Sequence, residues 1–326
     1  MTSSPLDARI CVSTVNYGCS ELILRALPAL LAELERFAEG VVFIVDNASP
    51  DDDADKLEAG LAAMGAPEAV RLIRSPRNGG FAAGNNIAFE AARALPWTPE
   101  GVLLLNPDAE VRPGAIEEIV RVLRSRPKIG VVGARLENEV GVSRMSAYRF
   151  PSAMREFAGA LGIGAVARLW PVLIDETDVP VRCDWVTGAC MMIRQEVLDT
   201  LGPLDEGYFL YFEEVDYQLQ ATRAGWEIWH APQAQVMHLA GAATGIVGST
   251  PKRGRMPDYW FDSWRRYFEK NHGGAYASFA AAMRLTGGAL GRLQRRLRGK
   301  PDESVPGFAA SFRRRCLMNL APGPRA

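Results

Sequence analysis

The feature that most constrains the fold is a series of short apolar runs that do not alternate with polar residues and that stop on Asn or Asp. RICVSTVNY, GVVFIVDNASPDD and GVLLLNPDAEV are of this kind. An unbroken apolar run suits a strand covered on both faces, as in a parallel sheet flanked by helices. The segments between the runs, SELILRALPALLAELERF, DADKLEAGLAAMG, NNIAFEAARAL and PGAIEEIVRVLRSRP, carry apolar residues at helical spacing. This β-α-β-α order predicts an α/β fold with a Rossmann-like, doubly wound, mostly parallel sheet. Ligands of such sheets lie beyond the carboxyl ends of the strands. Asn16, Asp46 and Asp108 each follow a predicted strand, so one rim should gather them. Later, DWVTGACMMIRQEVLDTLG reads as a strand running into a helix, and WEIWHAPQAQVMHL as a strand pair.

Charge divides the chain in two. Its net charge is −1. From Lys252 onward there are 16 basic and 5 acidic residues, a net of +11, which leaves −12 on the rest. A basic helical extension over 246–326 is expected beyond a catalytic region over 1–245, with a nucleotide-binding half to about 130 and an acceptor half after it. A basic tail suits an anionic surface. Phe279, Met283, Ala289 and Leu293 lie among Arg284, Arg292, Arg295, Arg296 and Arg298, and Arg313–Arg315 sit beside Phe312, Leu317 and Met318. That interleaving predicts peripheral contact with a membrane, the competing readings being a helical cap with a solvated basic face or an oligomer contact. No nucleic-acid motif accompanies the charge, so no nucleic-acid partner is expected. Neither a secretory signal nor a membrane-spanning segment is expected, and GSTPKRGRMPD reads as a mobile loop. The five scattered cysteines read as small buried hydrophobes of a reducing cytoplasm.

Four short motifs can carry chemistry. Asn106-Pro107-Asp108-Ala109-Glu110 ends a strand in a carboxylate that can hold a hard divalent cation, although these residues also favour a plain turn. Glu213, Glu214 and Asp216 follow an aromatic run. Crowded acids there can have a raised pKa, as a general base needs, or can simply favour a helix N-terminus. His238 ends a strand-like run. Asn78-Gly79-Gly80-Phe81-Ala82-Ala83-Gly84-Asn85-Asn86 places glycines before a helix N-terminus, where phosphate or ribose oxygens can approach, or forms a plain glycine turn into a helix cap.

Together VSTVNY, VFIVDNASPDD, NGGFAAGNN, LLLNPDAEV, DWVTGACMMIR, FLYFEEVDYQLQATRAGW and VMHLAG resemble family 2 of the glycosyltransferases, in particular its rhamnosyltransferase-like branch. The order of the segments is the family's, over roughly residues 9–242. The resemblance implies a GT-A fold, a nucleotide-sugar donor and inverting transfer, with rhamnose from dTDP-rhamnose as the donor suggested by the branch. It places Thr14, Asn16, Asp46, Asn47, Asn78 and Asn85 around the nucleotide. The family's Asp-X-Asp metal motif reads Asn106-Pro107-Asp108 here. Asp108 is therefore expected on Mg²⁺ or Mn²⁺, Asn106 on ribose or a metal-bound water, and His238 as a further metal ligand. The family's Glu-Asp pair reads Glu213-Glu214, which makes Glu214 the expected base, with Glu213 and Asp216 as alternatives. Asp184, Trp185 and Gly188, with Glu213, are expected along the donor-sugar and acceptor pocket.

The implied reaction is metal-dependent transfer to a hydroxyl of a saccharide or lipid-linked saccharide, in the cytoplasm and peripherally at the membrane face. Two alternatives remain. One is a protein of the same fold that binds a nucleotide sugar without turnover, the changed acids recording lost catalysis. The other is a nucleotidyltransferase, ranked last because VSTVNYGCSE lacks a basic phosphate-gripping loop.

Overall fold

A computed structural model describes residues 6–239, 246–247, 250–251, 254–302 and 304–318. The expected mobile loop at 248–258 falls in part outside these residues, as do the final eight. The first half alternates as predicted: β1 (Leu6–Asn16), α1 (Ser20–Leu34), β2 (Phe37–Asp46), α2 (Asp53–Ala63), β3 (Val70–Arg74), α3 (Gly80–Arg93), β4 (Gly101–Leu105), β5 (Ala109–Val111), α4 (Ala115–Ser125) and β6 (Ile129–Glu137). Next come β7 (Ser143–Arg144), β8 (Ala147–Tyr148), α5 (Ala153–Leu161), α6 (Gly164–Leu169), β9 (Val181–Cys183), β10 (Trp185–Val186), β11 (Cys190–Arg194), α7 (Gln195–Leu201), α8 (Glu213–Arg223) and β12 (Glu227–His238). The chain then forms α9 (Asp258–His272), α10 (Gly274–Leu297) and α11 (Phe308–Phe312), which runs into a π-helical turn at Arg313–Leu317.

The main sheet has the order β3-β2-β1-β4-β11-β6-β12-β5. Its first four strands are parallel, and β11 and β5 run antiparallel to their neighbours. The apolar runs are explained by burial on both faces. Ile10, Val12, Val42, Ile44 and Leu103 pack under α1, α2 and α4. Their alternates Cys11, Phe43, Val45, Val102 and Leu104 pack under α3, α7 and α8. Fully burying each such side chain contributes about 1.5–3 kcal/mol. All five cysteines are buried and unbridged. The expected strand pair over 226–239 is instead one strand, β12, whose register on β6 shifts between Ala231 and Gln235. Pro232 lies in the shift, and proline cannot donate to a ladder.

The basic C-terminal helices are not a detached tail. Trp260, Phe261, Trp264, Tyr267 and Phe268 of α9 form a third core with Tyr208, Val215 and Phe312. Arg266 bonds Asp205 at 2.8 Å, and Lys270 bonds Asp205 at 2.7 Å and Asp216 at 2.6 Å. Arg284 pairs with Glu156 of α5. The acidic body and the basic extension thus neutralise each other across their contact. Gly287 and Gly291 of α10 lie one turn apart where a Cβ would collide with the α5 backbone at Phe157 and Leu161, so α10 lies very close to α5. Replacing Lys270 with Ala should destabilise the fold by about 1–3 kcal/mol, because Asp216 is buried and keeps only amide donors. A thermal melt with an unchanged midpoint would contradict that role.

Candidate active site

The rim expected from strand ends exists. Asn16 and Asp46 are register partners on β1 and β2. The Asn16 amide donates to Asp46 at 2.9 Å and to Asp53 at 2.8 Å, and its oxygen accepts from the Cys19 N–H at 3.0 Å. Asn47 donates to the Asn78 side chain and to the Gly80 carbonyl, both at 3.0 Å. Thr14 lines a small, mainly aliphatic void under α1 with Leu27, Ile44, Leu105 and Asn106, so it does not add to the polar rim. Asn85 accepts from Ser13 at 2.7 Å and donates to the Phe81 carbonyl at 2.9 Å. It is buried and ties α3 to β1, so this residue supports the site from below rather than facing it. These bonds make a preorganised floor of side-chain amides and carboxylates.

Above that floor the Asn106–Ala109 turn brings Asp108 to His238, their Oδ1 and Nε2 atoms 3.1 Å apart. β5 causes the meeting: Ala109 is opposite His238 in the β5–β12 pairing, and the Leu239 N–H donates to the Asp108 carbonyl at 3.0 Å. Asn106 Nδ2 lies 3.5 Å from the same histidine nitrogen. One carboxylate oxygen and one imidazole nitrogen side by side can serve a divalent cation whose other ligands come from a diphosphate. Among the described residues no cluster of three or more His, Cys, Asp or Glu side chains is placed to hold a metal by protein ligands alone. Glu110 points to Arg112, 3.5 Å away. Burial, then the charges of Asp108 and Asp53, push the nearby Cys19 thiol up to about 11, so it stays a thiol.

Glu213 and Glu214 open α8 after two consecutive left-handed residues, Tyr211 and Phe212, each at φ 70°. Non-glycine residues in that region store strain and gather at functional sites. Gly80, at φ +85°, lets α3 begin against this loop: a Cβ there would collide with the Phe209 carbonyl, and the Phe81 N–H donates to that oxygen at 3.0 Å. Burial raises Glu214 to about 7, against the backbone N–H groups of Glu214, Val215 and Phe212 that favour the anion. Burial and then the Glu214 charge hold Glu213 well above the usual carboxylate range, which favours its neutral form. Asp216 is held by Lys270 and by Asn271 at 2.6 Å, facing α9, which removes it as an alternative base.

The segment 184–189 joins the two halves. Asn106 N–H donates to the Ala189 carbonyl at 2.9 Å, and a Cβ on Gly188 would lie 3.6 Å from Glu214 Cβ. The Asn106–Asp108 turn and the glutamate pair therefore flank one short segment. Trp185 stacks on Tyr148 with centroids 4.2 Å apart. Asp184 accepts from Arg149 at 3.2 Å and from the Phe150 N–H at 2.8 Å, so its carboxylate fixes the loop that carries Tyr148. Sequence reading missed Tyr148 and Gln218. Burial, then the Glu214 charge, push the Tyr148 hydroxyl up to about 12, which marks its nearness to that acid. Gln218 clamps α8 to Val186 through bonds of 2.8 Å to both its N–H and its carbonyl. Its place four residues after Glu214, one turn on in the same helix, was the available signal. His230 is structural, bonded to Ser146 at 3.0 Å and pushed down to about 4 by burial.

This chain is 28% identical over 251 residues to the N-acetylglucosaminyl-diphospho-decaprenol L-rhamnosyltransferase of Mycobacterium tuberculosis, covering 72% of this chain and 77% of the relative. In fold it is similar to the mannosyltransferase PcManGT of Pyrobaculum calidifontis in complex with GDP-Man and Mn²⁺, with a TM-score of 0.55 at 15% identity over 98% of this chain and 90% of the other. It is similar also to GalNAc-T7 with UDP, GalNAc and Mn²⁺, with a TM-score of 0.58 at 14% identity over 96% of this chain and 57% of the other. The fold is the GT-A fold of glycosyltransferases. The profile "Glycosyltransferase like family 2" matches residues 8–256, and the chain belongs to that family.

Proposed function

We propose that this protein is an inverting, metal-dependent hexosyltransferase that moves rhamnose from dTDP-rhamnose to a hydroxyl of a saccharide or lipid-linked saccharide, in the cytoplasm beside the membrane. The observation that carries the reading is the convergence of the Asp108–His238 pair and Glu214 on the two sides of the segment Gly188–Ala189. The rhamnosyltransferase relative supports the choice of sugar and of a lipid-linked acceptor. The roles are those the resemblance to the family implies, and the chemistry of the groups is consistent with them. Asn16, Asp46, Asn47 and Asn78 frame the nucleoside end, and Asn106 meets ribose or a metal-bound water. Asp108 and His238 hold Mg²⁺ or Mn²⁺, which when bound offsets charge on the diphosphate. Asp184 braces the acceptor side, where Trp185, Gly188 and Glu213 line the pocket. Glu214 accepts the acceptor's hydroxyl proton as the oxygen bonds the anomeric carbon and the diphosphate departs with the electron pair of the broken C–O bond. A nucleotide-sugar-binding protein without turnover is the alternative. Consumption of donor in the presence of acceptor separates the two.

A base raised to about 7 predicts the pH profile. Transfer under limiting substrate should fall by about tenfold per pH unit below that value, because only the carboxylate accepts the proton. The stability effect has the opposite sense. A carboxyl with a raised folded pKa favours its neutral form in the fold, so its cost is absent below the ordinary carboxyl value of 4.5, grows as pH rises from there, and is fully present above about 7. Glu214→Gln should therefore melt at or above the wild-type temperature at pH 8, with the difference shrinking towards pH 4. A profile flat from pH 5 to 8 would contradict the assignment.

A further inference from the structure

A group of the extension's cations that make no ion pair among the described residues lies at the far end of α10, where an apolar stripe is also exposed. Leu290, Leu293 and Leu297 are 45%, 52% and 79% exposed, and their i, i+3, i+7 spacing puts them on one helical face. That face lies beside, not on, the Gly287 and Gly291 face that meets α5. Beside the stripe Arg292, Arg295, Arg296 and Lys300 line a basin of about 480 Å³ with Leu293, Ala289 and Asp302. Among the described residues none of these four cations is in an ion pair, whereas Arg265, Arg266, Lys270, Arg284 and Arg315 all are. Two positions expected to meet a membrane are removed by the structure. Arg284 stacks on Trp260, Phe308 and Phe312, and Arg315 is buried on Asp258 and Asp262. No described helix is long and apolar enough to cross a membrane.

We propose that the C-terminal half of α10 docks on an anionic lipid bilayer, with Leu290, Leu293 and Leu297 inserted at the headgroup level and the Arg292–Lys300 basin holding lipid phosphates. A leucine row edged by cations has the composition of an interfacial helix. A second copy of the chain fits less well, because pairing two such rows would set arginines against arginines. The inference deepens the reading of a membrane-side acceptor and rests on it only for its biological sense: lipid binding is read without donor or acceptor, so it stands or falls apart from transfer. Truncation near residue 250 is no test, since it removes α9 from the core that holds Tyr208 and Val215. The full chain should instead co-sediment with phosphatidylglycerol-containing vesicles at low salt, and not with pure phosphatidylcholine vesicles. Each cation near anionic lipid raises the partition by about fivefold. Arg292→Glu with Arg296→Glu, and separately Leu293→Ser with Leu297→Ser, should each cut partition by at least about tenfold with unchanged melting. These side chains pack little, so folding survives. Failure of the wild type to bind, or equal binding by both variants, would overturn the proposal. So would a wild-type dimer in analytical ultracentrifugation that the leucine variant dissociates, because the stripe would then belong to a self-interface.

Discussion

Asp108→Ala should lower transfer by about three orders of magnitude while the protein still melts cooperatively near the wild-type temperature. Asp108 sits in a turn beyond the core, and its side chain faces His238 at 3.1 Å. Removing it leaves a single imidazole, too few protein ligands to fix a cation against a diphosphate. The backbone of the turn is secured independently, through Asn106 N–H to Ala189 and Leu239 N–H to the Asp108 carbonyl, so the loss should be local. His238→Ala should lose less, because a carboxylate with substrate phosphates still holds Mg²⁺. The readout is nucleotide diphosphate release over a Mn²⁺ titration. A mutant with wild-type activity at saturating metal would remove Asp108 from the centre.

Glu214→Gln should keep donor binding and lose transfer by about two to four orders of magnitude, the size of a general-base effect. The amide preserves shape and the backbone hydrogen-bonding environment but cannot take a proton. Glu213→Gln should cost less, since burial and the Glu214 charge favour the neutral form of the Glu213 carboxyl, which an amide mimics. Tightly bound donor with slow turnover, measured by calorimetry beside single-turnover kinetics, is the expected signature. If Glu213→Gln is the more damaging change, the order of the pair is reversed and Glu213 is the base.

The parallel half of the fold was legible because local signals agree with the global ones there. Unbroken apolar runs such as GVVFIVD can only be covered on both faces, and Asp46 and Asn106 punctuate their ends. Pairings across the chain left weaker marks. Asp108 and His238 meet only because β12 brings its end to β5, which no periodicity announces. In β12 the Ala-Pro-Gln interruption imitates a turn between two strands, whereas the sheet absorbs it as a register shift. Asp216 looked like a third acid of the site because its partners, Lys270 and Asn271, lie more than fifty residues away. The same distance disguised the extension. Its charge surplus read as a surface tail, although a part of it answers Asp205, Asp216 and Glu156. Tyr148 carries no motif at all and is identified only by its stacking on Trp185 and its nearness to Glu214.

The most direct test of the central claim is release of nucleotide diphosphate from a panel of nucleotide sugars, with saccharide and lipid-linked acceptors, in Mn²⁺ or Mg²⁺ and in excess chelator. The account predicts acceptor-dependent release of dTDP from dTDP-rhamnose that chelator abolishes and added Mn²⁺ restores. Donor that binds but is never consumed with any acceptor, or transfer that proceeds at full rate in chelator, would contradict it.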